Sequence, residues 1–167
     1  TLTQWLDAGL LDGAPLDSSI GVVEQHPYLR EQERLTFARI GMTDPLNLAE
    51  YETHGGWAGL RRALTMDSVQ MVQAVLDSGL RGRGGAAFPA GIKWQTVLAQ
   101  HAPQKYIVCN ADEGDSGTFS DRLLMESDPY MLIEGMVIAG LAVQATQGFI
   151  YVRAEYPHSI AVLHTAI

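Results

Sequence analysis

Apolar residues recur at three- and four-residue intervals through Val69, Val72, Val75 and Leu76, the pattern of an amphipathic helix. Asp67 or Ser68 stands where a cap belongs, and Gly79 falls in the C′ position that favours glycine. Residues 92–99 continue in helical style. Residues 129–143 are apolar nearly all round, which predicts a central helix capped by Asp128 and opened by Pro129. Tyr106-Ile107-Val108-Cys109, ending at Asn110, is a short buried-strand candidate, and residues 148–152 read as a second strand. Thr118 starts a further helix, with Asp121 three residues on resembling a capping box. Residues 48–51 and 57–64 read as short helices, and a last helix follows Pro157. Residues 35–40 are a short extended candidate. Ahead of His26, Gly9, Gly13, Pro15, Ser18, Ser19 and Gly21 surround Trp5, Leu6, Leu10 and Leu11, a connector with one short helix.

Strands and helices therefore alternate at spacings that allow right-handed parallel crossovers. The expected fold class is α/β: a Rossmann-like parallel sheet flanked by helices, behind an extended N-terminal connector over residues 1–34. Residues 35–167 form the domain. The chain opens on Thr1 and its last helix meets no stop signal, so the domain is expected to be incomplete at its C-terminus.

Charge narrows the partners. The net charge of −8 repels a phosphate backbone, which argues against nucleic acid as a partner. Any phosphate-bearing cofactor then needs local donors. The single cysteine, Cys109, cannot build a disulfide framework or a multi-cysteine metal site, and it suits a reducing, cytoplasmic setting. In a strand, it reads as a buried, inert thiol. His26, His54, His101, His158 and His164 are dispersed without ligand spacing, so no metal site is expected. Residues 131–143 are interrupted by Glu134 and are too short to span a bilayer, so no membrane insertion is expected.

The densest chemical signal is Gly82-Arg83-Gly84-Gly85-Ala86-Ala87-Phe88-Pro89-Ala90-Gly91-Ile92-Lys93-Trp94. Glycines let backbone amides approach a ligand and can shape an anion-binding nest. Arg81, Arg83 and Lys93 add positive charge, and Phe88 and Trp94 offer flat faces for aromatic rings. Gly82-x-Gly84-x-x-Ala87 has the letters of the dinucleotide fingerprint, but a helix precedes it and Pro89 is expected to interrupt the segment after it. A P-loop fails for want of Gly-Lys-Ser/Thr. The plain alternative is a surface loop, which has no need of interleaved Arg, Phe and Trp.

The second signal, Asn110-Ala111-Asp112-Glu113-Gly114-Asp115-Ser116-Gly117-Thr118, follows a strand directly. Ligands of parallel sheets bind beyond the carboxyl ends of strands. Asn110 both donates and accepts, as a heterocycle edge requires, and Asp112, Glu113 and Asp115 are acceptors for ribose hydroxyls or ring N–H groups. An EF-hand pattern is not met. The alternative is an acidic loop that complements a helix dipole.

These segments together resemble one family. Residues 79–89 with Gly91-x-Lys93-Trp94, then Cys109-Asn110-Ala111-Asp112-Glu113, Asp121-Arg122 and Glu134-Gly135-Met136 occur in the order seen in the FMN- and NADH-binding subunit of respiratory complex I. The same module serves as the diaphorase of NAD-dependent formate dehydrogenases and NAD-reducing hydrogenases. Ala86-Ala87-Phe88 and Gly114-Asp115-Ser116-Gly117 look more like the formate dehydrogenase or hydrogenase branch. The resemblance covers residues 35–167.

The resemblance implies an oxidoreductase subunit that exchanges a hydride between NAD(H) and FMN and passes electrons to iron–sulfur clusters, within a formate dehydrogenase or else a hydrogenase or complex I. Gly82, Arg83, Gly84 and Gly85 would wrap FMN. Lys93, Asn110 and Asp112 would hydrogen-bond it, with Glu113 beside it. Phe88 would stack on the NADH adenine and Asp115 would meet a ribose. Asp115 replaces the Glu usual in complex I, Thr96 stands where a second stacking aromatic can occur, and Ala87 replaces a usual Gly. No side chain is implied as a catalytic acid, base or nucleophile. The family pattern also implies a later Gly-Glu-Glu motif, a four-cysteine [4Fe–4S] site outside these residues, and iron–sulfur partner subunits that include a thioredoxin-like [2Fe–2S] protein. A non-redox nucleotide-binding module is the alternative from the residues alone.

Overall fold

The computed structural model describes residues 2–12, 21 and 25–167, and these divide into two compact units, Thr1–Ala38 and Arg39–Ile167. In the first unit, helix α1 (Leu2–Asp7) is followed by a 3₁₀ turn at Leu10–Asp12, and α2 (Pro27–Arg30) comes later. The short helix expected in the connector is therefore present. Gly13, Pro15, Ser18 and Ser19, which were expected to shape turns, lie outside the described residues.

The second unit holds α3 (Leu48–Thr53), α4 (Ala58–Ala63), α5 (Ser68–Asp77), α6 (Ala90–Leu98), β1 (Tyr106–Ala111), α7 (Ser120–Ser127), α8 (Pro129–Val143), β2 (Gln147–Val152) and α9 (Pro157–Ala166). β1 and β2 pair in parallel, Tyr106 opposite Gln147 through Ala111 opposite Val152. This is the parallel α/β arrangement that the alternation of elements predicts. None of the described helices is long and apolar enough to cross a membrane.

Helix α8 is central because it is apolar nearly all round, Glu134 being its one charged residue. It packs against α4, α5, α6, α7, α9 and both strands, and buries Ala139, Gly140, Ala142 and Val143. α5 starts with a complete capping box, Asp67 to the Gln70 amide and Gln70 back to the Asp67 amide. It buries Met71 and Val72, whereas Val69 is 68% exposed, so the inward stripe is displaced from the one the valines suggested. The sheet is one-sided among the described residues. Cys109, Ala111, Ile150 and Val152 join a core with Met125, Tyr156 and Leu163. Tyr106, Val108, Phe149 and Tyr151 are exposed, the first and third with ring centroids 5.9 Å apart.

Two buried charges lock helices to this frame. Arg39 Nη2 lies 2.8 Å from Asp128 Oδ2, and Asp128 is 4% exposed. Removing one partner of such a pair costs about 3–5 kcal/mol, because the other charge is stranded. Residues 35–40 are consequently not a strand: the chain turns there, Met42 N–H donates to Arg39 O, and Arg39 is delivered to Asp128. Asp128 spends its carboxylate on that pair and makes no cap bond to α8. Glu134 accepts from the Tyr51 hydroxyl, from Trp57 N–H at 2.9 Å and from Leu60 N–H at 2.8 Å. Burial alone would raise its pKa. The bonds from Tyr51, Leu60 and Trp57, with Arg39 nearby, instead hold it below the ordinary carboxylate value. Burial and Glu134 push the Tyr51 phenol well up, so it stays a donor.

Candidate functional site

The glycine-rich loop joins α5 to α6. Gly79 N–H donates to Leu76 O and has φ +66°, the left-handed state that glycine enters without a Cβ penalty. Beyond it, the neck of the loop is pinned three times. Gly82 N–H donates to Phe88 O at 2.9 Å, Ala90 N–H to Leu80 O at 2.8 Å, and Arg81 Nη1 to Ala87 O at 3.0 Å. Pro89 does not interrupt the following helix; it is the N-cap of α6. A nucleotide-type loop thus does open a helix here, although a helix and not a strand precedes it. α5 and α6 lie very close at Gly91: a Cβ there would meet Leu76 N at 2.6 Å and Leu76 Cα at 2.7 Å.

Above the neck the loop is open. Residues 81–88 are exposed, and none of the backbone amides from Arg83 to Phe88 donates within the described residues. A Cβ at Gly84 or Gly85 would meet nothing within 4 Å. Ala87 has φ +50°, a left-handed state that disfavours a Cβ, which explains why glycine suits this place. The Arg83 guanidinium and the exposed Lys93 ammonium have no acidic partner among the described residues. Phe88 is 51% exposed, whereas Trp94 packs with Ala63, Met71, Val72 and Ala142. Trp94 is therefore core and not the free flat face expected of it. Thr96 is exposed and donates its hydroxyl to Ile92 O.

The acidic loop has the opposite character. Asn110 is the fifth residue of β1, which runs on to Ala111, and Asn110 Oδ1 accepts from Asp112 N–H at 3.2 Å. Asp112 is half-buried, with Oδ2 lying 3.1 Å from where a Gly114 Cβ would stand. Asp115 is exposed. Glu113 is tied on every side. Its carboxylate accepts from Asp121 N–H at 2.8 Å, Arg122 N–H at 3.0 Å and Tyr156 Oη at 3.1 Å, while its carbonyl accepts from Arg153 Nη1 at 2.9 Å. It is thus Glu113, from the preceding loop, that caps α7; Thr118 and Asp121 form no capping box, and the N-cap residue Phe119 makes no side-chain bond. Arg122 pairs with Glu126 at 3.0 Å.

Arg153 and Tyr156 were not singled out by sequence reasoning. The signal that finds them is their place just past the carboxyl end of β2, beside the end of β1. Burial first, and the Glu113 bond second, raise the Tyr156 phenol pKa, so it too remains a donor. Burial, with Asp121 nearby, raises the pKa of the half-buried Cys109 thiol; it is protonated and unreactive at neutral pH, as expected of a structural thiol.

No hydrogen bond or ion pair joins the glycine loop to the acidic loop among the described residues. A cavity of about 700 Å³ lies elsewhere, between α8, α9 and β2, and its lining by Ile133, Val137, Leu141, Ile160, Leu163 and Ile167 suits no phosphate.

A parallel α/β module with an open, donor-rich glycine loop and a second loop at its strand ends defines a nucleotide-type cofactor-binding protein. The chain belongs to the Nuo51 FMN-binding domain family, whose model matches residues 75–167. FMN is accordingly the cofactor of this domain. It fits the residues present: free amides and two unpaired cations suit its phosphate and carbonyl oxygens. Among its relatives is the NADP-reducing hydrogenase subunit HndC of Solidesulfovibrio fructosivorans, 48% identical over 138 residues, covering 83% of this chain and 28% of the relative. The mitochondrial NADH-ubiquinone oxidoreductase 51 kDa subunit of Neurospora crassa is 37% identical over 155 residues, covering 90% of this chain and 31% of the relative. A crystal structure of an NAD⁺-reducing [NiFe]-hydrogenase in the air-oxidised state superposes with a TM-score of 0.62 at 34% identity, covering 81% of this chain and 22% of that one. The chain thus spans less than a third of the length of these relatives.

Proposed function

We propose that this chain carries one part of the FMN- and NAD(H)-binding site of a diaphorase-type oxidoreductase subunit, which exchanges a hydride between NAD(H) and FMN and passes electrons to iron–sulfur clusters. The observation that carries this reading is the run of unpartnered amides from Arg83 to Phe88 in a family of FMN-binding domains. When bound, FMN supplies the hydride and single-electron chemistry. The chain's own residues hold and orient it. Gly82, Arg83, Gly84 and Gly85 wrap it with backbone donors, Lys93 supplies a positive charge, and Asn110 and Asp112 meet its polar edge, with Glu113 behind them. Phe88 offers a stacking face to the adenine of NADH, and Asp115 an acceptor to its ribose. Lys93 and the loop amides favour negative charge on the cofactor.

The site falls in residues 35–167, with residues 1–34 as a connector. The [4Fe–4S] ligands lie outside this chain. The partners are iron–sulfur subunits, including a thioredoxin-like [2Fe–2S] protein, in a cytoplasmic complex. Ala86-Ala87-Phe88 and Gly114-Asp115-Ser116-Gly117 support the branch that holds NAD-dependent formate dehydrogenases and NAD-reducing hydrogenases, within which a formate dehydrogenase is the reading proposed. The 48% identity to a hydrogenase subunit supports a hydrogenase instead. The full complex, purified with its native partners, separates them: formate-dependent NAD⁺ reduction is expected, and reduction driven only by hydrogen overturns the formate assignment. Flavin-free material from cells replete with FMN would count against the whole reading.

A further inference from the structure

The acidic loop is held from outside itself. Glu113 has φ +48°, a state that a residue with a Cβ keeps only where its surroundings over-determine it. Of the roughly four acceptor directions of a carboxylate, three are filled at 2.8–3.1 Å by the Asp121 and Arg122 amides and the Tyr156 hydroxyl, and the Ser120 hydroxyl donates to Oε1 from 3.5 Å. The carbonyl of the same residue takes the Arg153 guanidinium. Arg153 and Tyr156 stand at the start of the segment after β2, so these two bonds run from the end of one strand to the end of the other. Tyr156 is 6% exposed and packs with Ala111, Met125 and Leu163, while the Arg153 guanidinium lies 5.4 Å from its ring centroid. The ring is core, and the hydroxyl is what reaches the loop.

We propose that Arg153 and Tyr156 are positioning residues for the flavin site. Acting through Glu113, they fix the backbone beyond β1 so that Asn110 and Asp112 meet FMN in a preset conformation. On this account Glu113 is itself an anchor whose carboxylate is spent within the chain. The inference rests on the reading of this loop as part of the FMN site. Preset geometry raises affinity because the loop's ordering is not charged to binding.

The test is FMN titration of the full-length apoprotein, followed by flavin fluorescence, with apoprotein melting measured beside it. Tyr156→Phe keeps the ring and removes only the hydroxyl; Arg153→Gln removes the carbonyl contact. Each is expected to weaken FMN binding roughly three- to tenfold, the worth of one hydrogen bond, with the apoprotein still folding cooperatively and melting only a few degrees below wild type. Arg153→Lys should restore part of the affinity. Glu113→Gln combined with Tyr156→Phe should lose less than the product of the single losses, since the two act through one contact. Arg61→Ala, at an exposed surface pair with Glu52, should bind as wild type does. Unchanged FMN affinity in both Tyr156→Phe and Arg153→Gln, with wild type binding normally, overturns the anchoring role alone. A full product of losses in the double variant also overturns it. Wild-type protein that takes up no FMN overturns the underlying reading and this inference with it.

Discussion

The glycine loop and the acidic loop flank the same cofactor site in the proposed reading, and they are built on opposite principles. The first is pinned only at its neck, and from Arg83 to Phe88 its amides are unspent within the described chain. The second has its key side chain consumed internally, by two helix amides, a phenol and, at its carbonyl, a guanidinium. Donors left free are available to a ligand; acceptors already filled fix shape. One loop therefore contributes contacts, and the other contributes geometry.

The largest way to break that contrast is to strike the shape-giving loop or the frame of the contact-giving one. Glu113→Ala leaves helix amides and a phenol without their acceptor and should cost about 1–3 kcal/mol, read as a lower midpoint in urea. Gly91→Ala drives a methyl into Leu76 backbone atoms and should cost about 1–3 kcal/mol through overpacking. It should also weaken FMN retention, because α5 and α6 carry the two ends of the glycine loop. Lys93→Ala should do the reverse of Glu113→Ala: stability within about 0.5 kcal/mol of wild type, but less flavin in purified protein. Equal loss of stability in the Lys93 and Glu113 variants would erase the distinction between the loops.

Smaller effects sharpen it. Ala87→Gly relieves a left-handed alanine and should be neutral or stabilising by up to about 1 kcal/mol, with no loss of FMN. The smallest concerns Asp121, whose pKa is raised first by burial and then by the Glu113 charge. Its folded value lies above its unfolded one, so its contribution favours folding at low pH and is lost as pH rises through the raised value. Asp121→Asn should therefore melt slightly higher at pH 7, by under about 0.5 kcal/mol at this exposed site, and the gain should vanish below about pH 4. A gain that grows on acidification would reverse the assigned sign.

Much of the frame was legible in the sequence because it is written in local apolar runs. α5, α6, α8 and both strands stand where residues 69–76, 92–99, 129–143, 106–109 and 148–152 placed them. What escaped was non-local. Residues 35–40 look extended by composition, yet the chain turns there because Arg39 must reach Asp128, 89 residues away. Trp94 looked like a ligand platform until helix packing turned it inward. Glu134 stood out in a motif, but its partners Tyr51, Trp57 and Leu60 could not be read from it. The candidate site divides in the same way. Glycines and cations in one stretch announce an open loop, whereas the role of Glu113 depends on Arg153 and Tyr156, 40 and 43 residues on.

The central claim is that the glycine loop grips FMN with amides the fold leaves free. Amide hydrogen exchange on the full-length protein, with and without FMN, tests it most directly. The account predicts that exchange at residues 83–88 slows markedly when FMN is added, while the Asp121 and Arg122 amides, already bonded to Glu113, change little. FMN binding that leaves residues 83–88 unprotected would contradict it.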